Sequence, residues 1–135
     1  MKYETILTTC PYCGCGCGLL LEALDGKIVG TLPQKDHPVS SGALCIKGWA
    51  AHEFIHDPGR LTRPLMRKNG VLEPASWEKA LEGVASVLRK IKEKNGPESI
   101  AGLASAKCTN EENYLFQKWI RGVVGTNNVD HCARL

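Results

Sequence analysis

The stretch "TCPYCGCGCG", residues 9–18, places Cys10, Cys13, Cys15 and Cys17 within eight positions. Spacings of one or two residues make disulfides within the group geometrically awkward. The chain holds seven cysteines in all, and in a reducing compartment such crowding points to a metal centre. An iron-sulfur cube takes four thiolates, and a local loop usually supplies two or three, the last arriving from elsewhere. The remote candidate is Cys45 in "GALCIKGW". Cys10 and Cys13 are spaced as one loop's pair, and the third ligand is either Cys15 or Cys17. Gly14, Gly16 and Gly18 let the backbone turn closely around a bulky group. Zinc is the rival, since two thiolate pairs also make a tetrahedral site. The three-plus-one layout favours iron-sulfur.

At 135 residues and 43% apolar, the chain suffices for one ordinary domain or two small ones. Its net charge of +3 comes without a run of five like charges, so neither nucleic acid nor a membrane surface is an expected partner. "MKYETILTTC" has no apolar signal core or twin arginine, and no stretch reaches the length of a membrane span. The expectation is a soluble cytoplasmic protein.

"ETILTT" and "GLLLEALDGKIVGTLP" read as short strands, with Asp25-Gly26 as a hairpin turn. "KGWAAHEFIH" can form a short helix, ended by "DPG". "RLTRPLMRKNGVLEPAS" reads as a connector. Beyond it Trp77, Ala80, Leu81, Val84, Leu88 and Ile91 form a helical stripe, with Ser76 as N-cap and "NGP" as the stop. "SIAGLAS" reads as a buried strand, and a second helix begins at the Thr109–Glu112 capping box and ends at Gly125. The predicted class is α+β: a small β-rich cluster domain over 1–58, then the first helix-strand-helix part of an α/β domain over 59–135.

The motif "HEFIH", residues 52–56, matches the H-E-x-x-H pattern of zinc proteases, with His52 and His56 one helical turn apart. Asp57-Pro58-Gly59 ends that helix at once, and His131 is the only later histidine. A protease also needs a third ligand and a cleft, so chance spacing is the better reading. Cys108 in "SAKCTNEEN" reads as a small buried residue. His131 and Cys132, though adjacent, are not expected to form a nucleophile pair.

Taken together, "CPYCGCGC", "LCIKG", "RLTRPLMR", "PASWEKAL" and "GTNNVDHCARL" resemble the start of the molybdopterin oxidoreductases, most closely the catalytic subunits of molybdenum or tungsten formate dehydrogenases. The family pattern Cys-x2-Cys-x3-Cys, then a distant Cys, maps onto Cys10, Cys13, Cys17 and Cys45 as ligands of one [4Fe-4S] cluster. Cys15 is left over. The resemblance implies that Lys47 lies on the electron relay between the cluster and the pterin, and that Lys107 contacts the pterin dinucleotide. It also implies a cysteine or selenocysteine ligand to molybdenum or tungsten directly after Leu135, so no catalytic residue is expected within the chain.

The expectation is therefore the iron-sulfur part of a formate dehydrogenase catalytic subunit, inactive alone. Its cofactors would be a [4Fe-4S] cluster and, in the complete protein, Mo- or W-bis(molybdopterin guanine dinucleotide). Its partners would be the remainder of the subunit, an electron-transfer subunit or ferredoxin, and formate or carbon dioxide. The alternative is a stand-alone or split ferredoxin-like electron carrier, for which the Trp77 helix and the elements after it are superfluous.

Overall fold

The computed structural model describes residues 1–132, and the chain divides into two compact units. The first comprises Met1–Arg60 and Ala104–Tyr114, together with His131 and Cys132 among the described residues; the second comprises Leu61–Leu103 and Leu115–Asp130.

The first unit is built on an antiparallel meander of β1 (Tyr3–Thr9), β2 (Gly18–Leu24) and β3 (Lys27–Pro33). The β1–β2 register runs from Tyr3 opposite Leu24 to Thr9 opposite Gly18, so the cysteine-rich segment is the loop joining the two strands. At the other end of β2 the Asp25-Gly26 turn has φ of 47° and 80°. Two successive positive φ values make the tight turn whose twist suits a hairpin. Asp25 is held from both sides: its N–H donates to the Lys2 carbonyl (2.8 Å), and its Oδ1 accepts from Lys2 N–H (2.7 Å). Leu19 and Ala23 of β2 are buried, whereas β1 is exposed along its whole length. That difference is what a central strand and an edge strand should show.

After β3 the chain forms α1 (Ile46–Trp49) and a single 3-10 turn at Glu53–His56. The sequence suggested one helix here. The break falls at Ala50–His52, because the His52 and His56 rings are used elsewhere. Ile28 N–H donates to His56 Nε2 at 3.1 Å, and buried Thr31 Oγ1 bonds His52 Nδ1 at 3.1 Å. The two histidines thus fasten this segment to β3. The unit's core is Cys10, Leu19 and Ala51, with Tyr12, Cys17, Leu21 and Leu44 packed around it. Tyr12 also meets Phe54 edge-on at 6.3 Å, and the Arg60 guanidinium lies 4.8 Å from the Phe54 ring centroid.

In the second unit the expected connector contains a hairpin, β4 (Leu65–Lys68) and β5 (Val71–Pro74). Its turn is Asn69-Gly70, with φ of 51° and 84°, an Asn-Gly signal set between strands too short to stand out in a basic, proline-containing stretch. α2 (Trp77–Asn95) follows, and the Ser76 hydroxyl accepts from Lys79 N–H at 3.3 Å as its N-cap. The apolar stripe of α2 is divided. Ala80, Leu88 and Ile91 are half-buried, but Trp77, Leu81 and Val84 are exposed, so the stripe is wider than the surface the described part of the unit sets against it.

Strand β6 (Gly102–Ala104) pairs with β7 (Val129–His131), and α3 (Asn110–Trp119) runs on into a π-helical turn at Ile120–Val124 that Gly125 ends in the left-handed region. The expected capping box is present: Thr109 Oγ1 accepts from Glu112 N–H at 3.2 Å while Glu112 Oε2 accepts from Thr109 N–H at 2.8 Å. "SIAGLAS" is less buried than its composition suggests, because Gly102 is buried and Leu103 is 79% exposed.

A Cβ at Gly102 would approach Ile120 Cγ1 and Phe116 Cε1 to 2.9 Å. Gly102→Ala should therefore lower stability by about 1–3 kcal/mol through overpacking, read as a reduced denaturant midpoint in urea unfolding followed by circular dichroism.

Candidate functional site

Cys10 and Cys17 stand at the two ends of the β1–β2 loop, and Cys10 N–H donates to the Cys17 carbonyl at 2.8 Å. Between them Cys13 (φ 50°) and Gly16 (φ 59°) occupy the left-handed region. Such a conformation is costly for a cysteine, and the surroundings hold it. Cys13 N–H donates to the Lys107 carbonyl at 3.1 Å, and Asn110 Nδ2 donates to the Gly14 carbonyl at 3.1 Å. Residues 107–110 thus buttress a loop almost a hundred positions earlier. A side chain at Gly14 would collide with Asn110.

Of the four family-pattern cysteines, Cys13, Cys17 and Cys45 all lie within electrostatic reach of Cys10. Cys10 is buried, and burial pushes its thiol up; repulsion from Cys17, Cys13 and Cys45 adds to this, while the Tyr12 N–H opposes it. Cys45 is exposed at the N-cap of α1. The Gly48 and Lys47 N–H groups near its sulfur hold its thiol below the usual range, and the Lys47 ammonium acts in the same sense. Cys15 is exposed, and its thiol is raised first by hydrogen bonding with Cys13, then by the charges of Cys13, Cys17 and Cys45.

This donor set fits a [4Fe-4S] cluster. Three thiols come from one loop and a fourth from a helix N-terminus, backbone N–H groups face two of the sulfurs, and one side of the group rests on the apolar cluster of Leu19, Ala51, Leu21 and Leu44. Among the described residues, no three His, Cys, Asp or Glu side chains are arranged to hold a single metal ion. A cube makes a different demand, since each thiolate binds its own iron.

Lys47 is exposed beside Cys45. The Lys107 side chain is also exposed, and its peptide group does structural work: the carbonyl accepts from Cys13, and the N–H donates to Ser105 Oγ at 3.1 Å. Cys108 is half-buried, and its carbonyl and that of Ser105 both accept from Asn113 Nδ2. Cys132 Sγ accepts from Ala106 N–H at 3.4 Å and lies 3.7 Å from Ser105 Oγ. These contacts, with Lys107 nearby, hold its thiol below the usual range. The expected molybdenum or tungsten ligand after Leu135, and residues 133–135 of the "CARL" motif, lie outside the described residues. Sequence reading missed Asn110 and the histidine struts. Asn110 carries no signal beyond being polar near a helix start, and the histidines were camouflaged by a protease-like spacing.

Two family descriptions match the chain: Molybdopterin oxidoreductase Fe4S4 domain over residues 3–57 and Molybdopterin oxidoreductase over residues 60–135. Among curated proteins, F420-dependent formate dehydrogenase 1 subunit alpha of Methanococcus maripaludis is 53% identical over 135 residues, which is 100% of this chain and 19% of the relative. F420-dependent formate dehydrogenase subunit alpha of Methanocaldococcus jannaschii is 46% identical over the same coverage, 100% and 19%. Among solved structures, acetylene hydratase from Pelobacter acetylenicus superposes with a TM-score of 0.72 at 25% identity, over 93% of this chain and 18% of that one. The chain thus spans 19% of the length of those two curated relatives. With residues 3–57 and 60–135 matched by two parts of a single family, the chain belongs to the molybdopterin oxidoreductases, whose [4Fe-4S] cluster and molybdopterin are its cofactors.

Proposed function

We propose that this chain is the cluster-bearing part of a formate dehydrogenase catalytic subunit, with Cys10, Cys13, Cys17 and Cys45 as the ligands of one [4Fe-4S] cluster. The observation that carries the reading is the reach of Cys13, Cys17 and Cys45 to Cys10, in a chain whose relatives over its full length include formate dehydrogenase alpha subunits. The match of residues 60–135 to the molybdopterin oxidoreductase description argues against a stand-alone electron carrier. The boundary proposed between the cluster part and the pterin part is Pro58/Gly59.

When bound, the cluster would supply one-electron storage, and the molybdopterin site of the complete subunit would supply the two-electron interconversion of formate and carbon dioxide. This chain's residues prepare the first of these. Cys10 and Cys17 are locked to each other through the backbone and packed on Leu19 and Ala51, which keeps water from one side of the sulfurs. The surroundings of Cys45 shift it towards the thiolate, the form a metal needs. Lys47 places a cation beside that sulfur, where it favours an added electron, and is the proposed relay residue towards the pterin guanine dinucleotide. Lys107 is proposed as a second contact to that dinucleotide. Both relatives are F420-dependent, and we extend that dependence to the electron partner of this chain.

Cys17→Ala should abolish the broad visible absorption and the iron content of anaerobically reconstituted protein, whereas Cys15→Ala should retain both; the opposite pair of results would overturn the ligand set. Lys47→Met should leave iron content unchanged and lower the cluster's reduction potential in a potentiometric titration, because a cation is removed from beside an electron acceptor.

The thiols of the cluster-free chain should also differ in alkylation. A thiol held below its ordinary pKa is thiolate at lower pH, and only the thiolate attacks. In iodoacetamide labelling resolved by peptide mass spectrometry, the rate profiles of Cys45 and Cys132 should therefore rise at lower pH than that of an unstructured cysteine peptide. The profile of Cys10 should rise at higher pH.

A further inference from the structure

We propose that Cys15 is a reserve ligand for the iron held by Cys13, so that the loop can present either sulfur to the same corner of the cluster. The inference rests on the assignment of Cys10, Cys13, Cys17 and Cys45 as the primary ligands.

Four features of the loop carry it. The Cys15 thiol is a hydrogen-bonding neighbour of the Cys13 sulfur and lies within reach of Cys17 and Cys45, so it already faces the space the other thiols surround. It is exposed, so no packing is lost when it moves. Its flanking residues are Gly14 and Gly16, and a Cβ at Gly16 would meet nothing within 4 Å, so there is open space beside the residue that follows Cys15. The motion also has fixed ends: the Gly14 carbonyl is held by Asn110, and the Cys17 carbonyl is held by Cys10 N–H. A rearrangement confined to Cys15 and Gly16 leaves β1 and β2 in register.

Cys13 is the ligand Cys15 can replace. Cys10 and Cys17 belong to the packed core with Leu19 and Ala51, and Cys13 does not. In the exchange the Cys15 thiol gives its proton to solvent as its sulfur binds iron. Where Cys13 departs, its sulfur takes a proton up, and the oxidation state of the cluster is unchanged.

The test uses the full chain, reconstituted anaerobically with iron and sulfide, in the variants Cys13→Ala, Cys15→Ala, Cys13→Ala/Cys15→Ala and Cys13→Ala/Cys15→Ser. Iron and acid-labile sulfide per chain and the electron paramagnetic resonance spectrum after reduction are the readouts. The expected result is wild-type iron content in each single variant, with an altered spectrum for Cys13→Ala, and loss of the cluster in both double variants. The Ala/Ser pair keeps the shape and polarity of residue 15 without a thiolate, so iron loss with an unchanged circular dichroism spectrum assigns the effect to ligation. If Cys13→Ala is as iron-poor as the double variants while Cys15→Ala stays replete, the reserve role is wrong and the primary ligand set stands. If Cys15→Ala alone is iron-poor, the ligand set itself is wrong and the reserve role falls with it.

Discussion

One backbone hydrogen bond, from Cys10 N–H to the Cys17 carbonyl at 2.8 Å, closes the loop on which the cluster part of this protein depends. Its net worth as a hydrogen bond is small, about 1 kcal/mol. Its consequence is larger, because it continues the β1–β2 register of Thr9 opposite Gly18 by one more pair. Side chains alternate across a sheet, so a slip of one residue would turn Leu19 and Ala23 away from the core. With the register fixed, Cys10 and Cys17 rest on Leu19 and Ala51, and the residues between them can adopt left-handed conformations at Cys13 and Gly16 without loosening the strands.

The fourth cysteine poses a separate problem of placement. Cys45 precedes a helix of four residues, too short to persist by its own hydrogen bonds. What holds it lies further along the chain: Ala51 packed against Cys10 and Leu19, and the His52 and His56 rings bonded to Thr31 and Ile28 of β3. β3 is in turn hydrogen-bonded to β2, which carries the loop. The two histidines are therefore structural ties between β3 and the segment that follows Cys45. Their spacing of one helical turn imitates a zinc-protease motif, yet both rings are engaged by β3.

Much of this was legible in the residues. Asp25-Gly26, Ser76, Thr109–Glu112 and Gly125 each announce a local backbone event by chemistry that acts within a few positions, and all of them do what their residue types imply. The Asn69-Gly70 hairpin carried the same kind of signal but was outweighed by prolines and basic residues around it. The cysteine spacing pointed to a cluster and left Cys15 or Cys17 open as the third ligand; a family resemblance was needed to choose. What could not be read was long-range: Asn110 on Gly14, Lys107 on Cys13, Ser105 and Ala106 at Cys132. A polar side chain bonded to a backbone carbonyl far away in sequence leaves no periodicity, and a backbone donor leaves no trace at all.

Crowding thiolates is electrostatically unfavourable, and the surroundings act unevenly on these cysteines. Cys10, the buried one, takes burial and the repulsion of its neighbours, both of which favour its protonated form. Cys45, the exposed one, takes the N–H groups of Lys47 and Gly48 and the Lys47 charge, which favour its thiolate. Like charges brought together disfavour one another's ionised forms, and nearby N–H groups or cations offset this. Here the buried Cys10, packed on Leu19 and Ala51, is pushed towards its protonated form, while the exposed Cys45 is pushed towards its thiolate. Packing against Leu19 and placement at the N-cap of α1 are thus linked through Ala51, which packs with Cys10 and lies two residues beyond Trp49, the last residue of that helix.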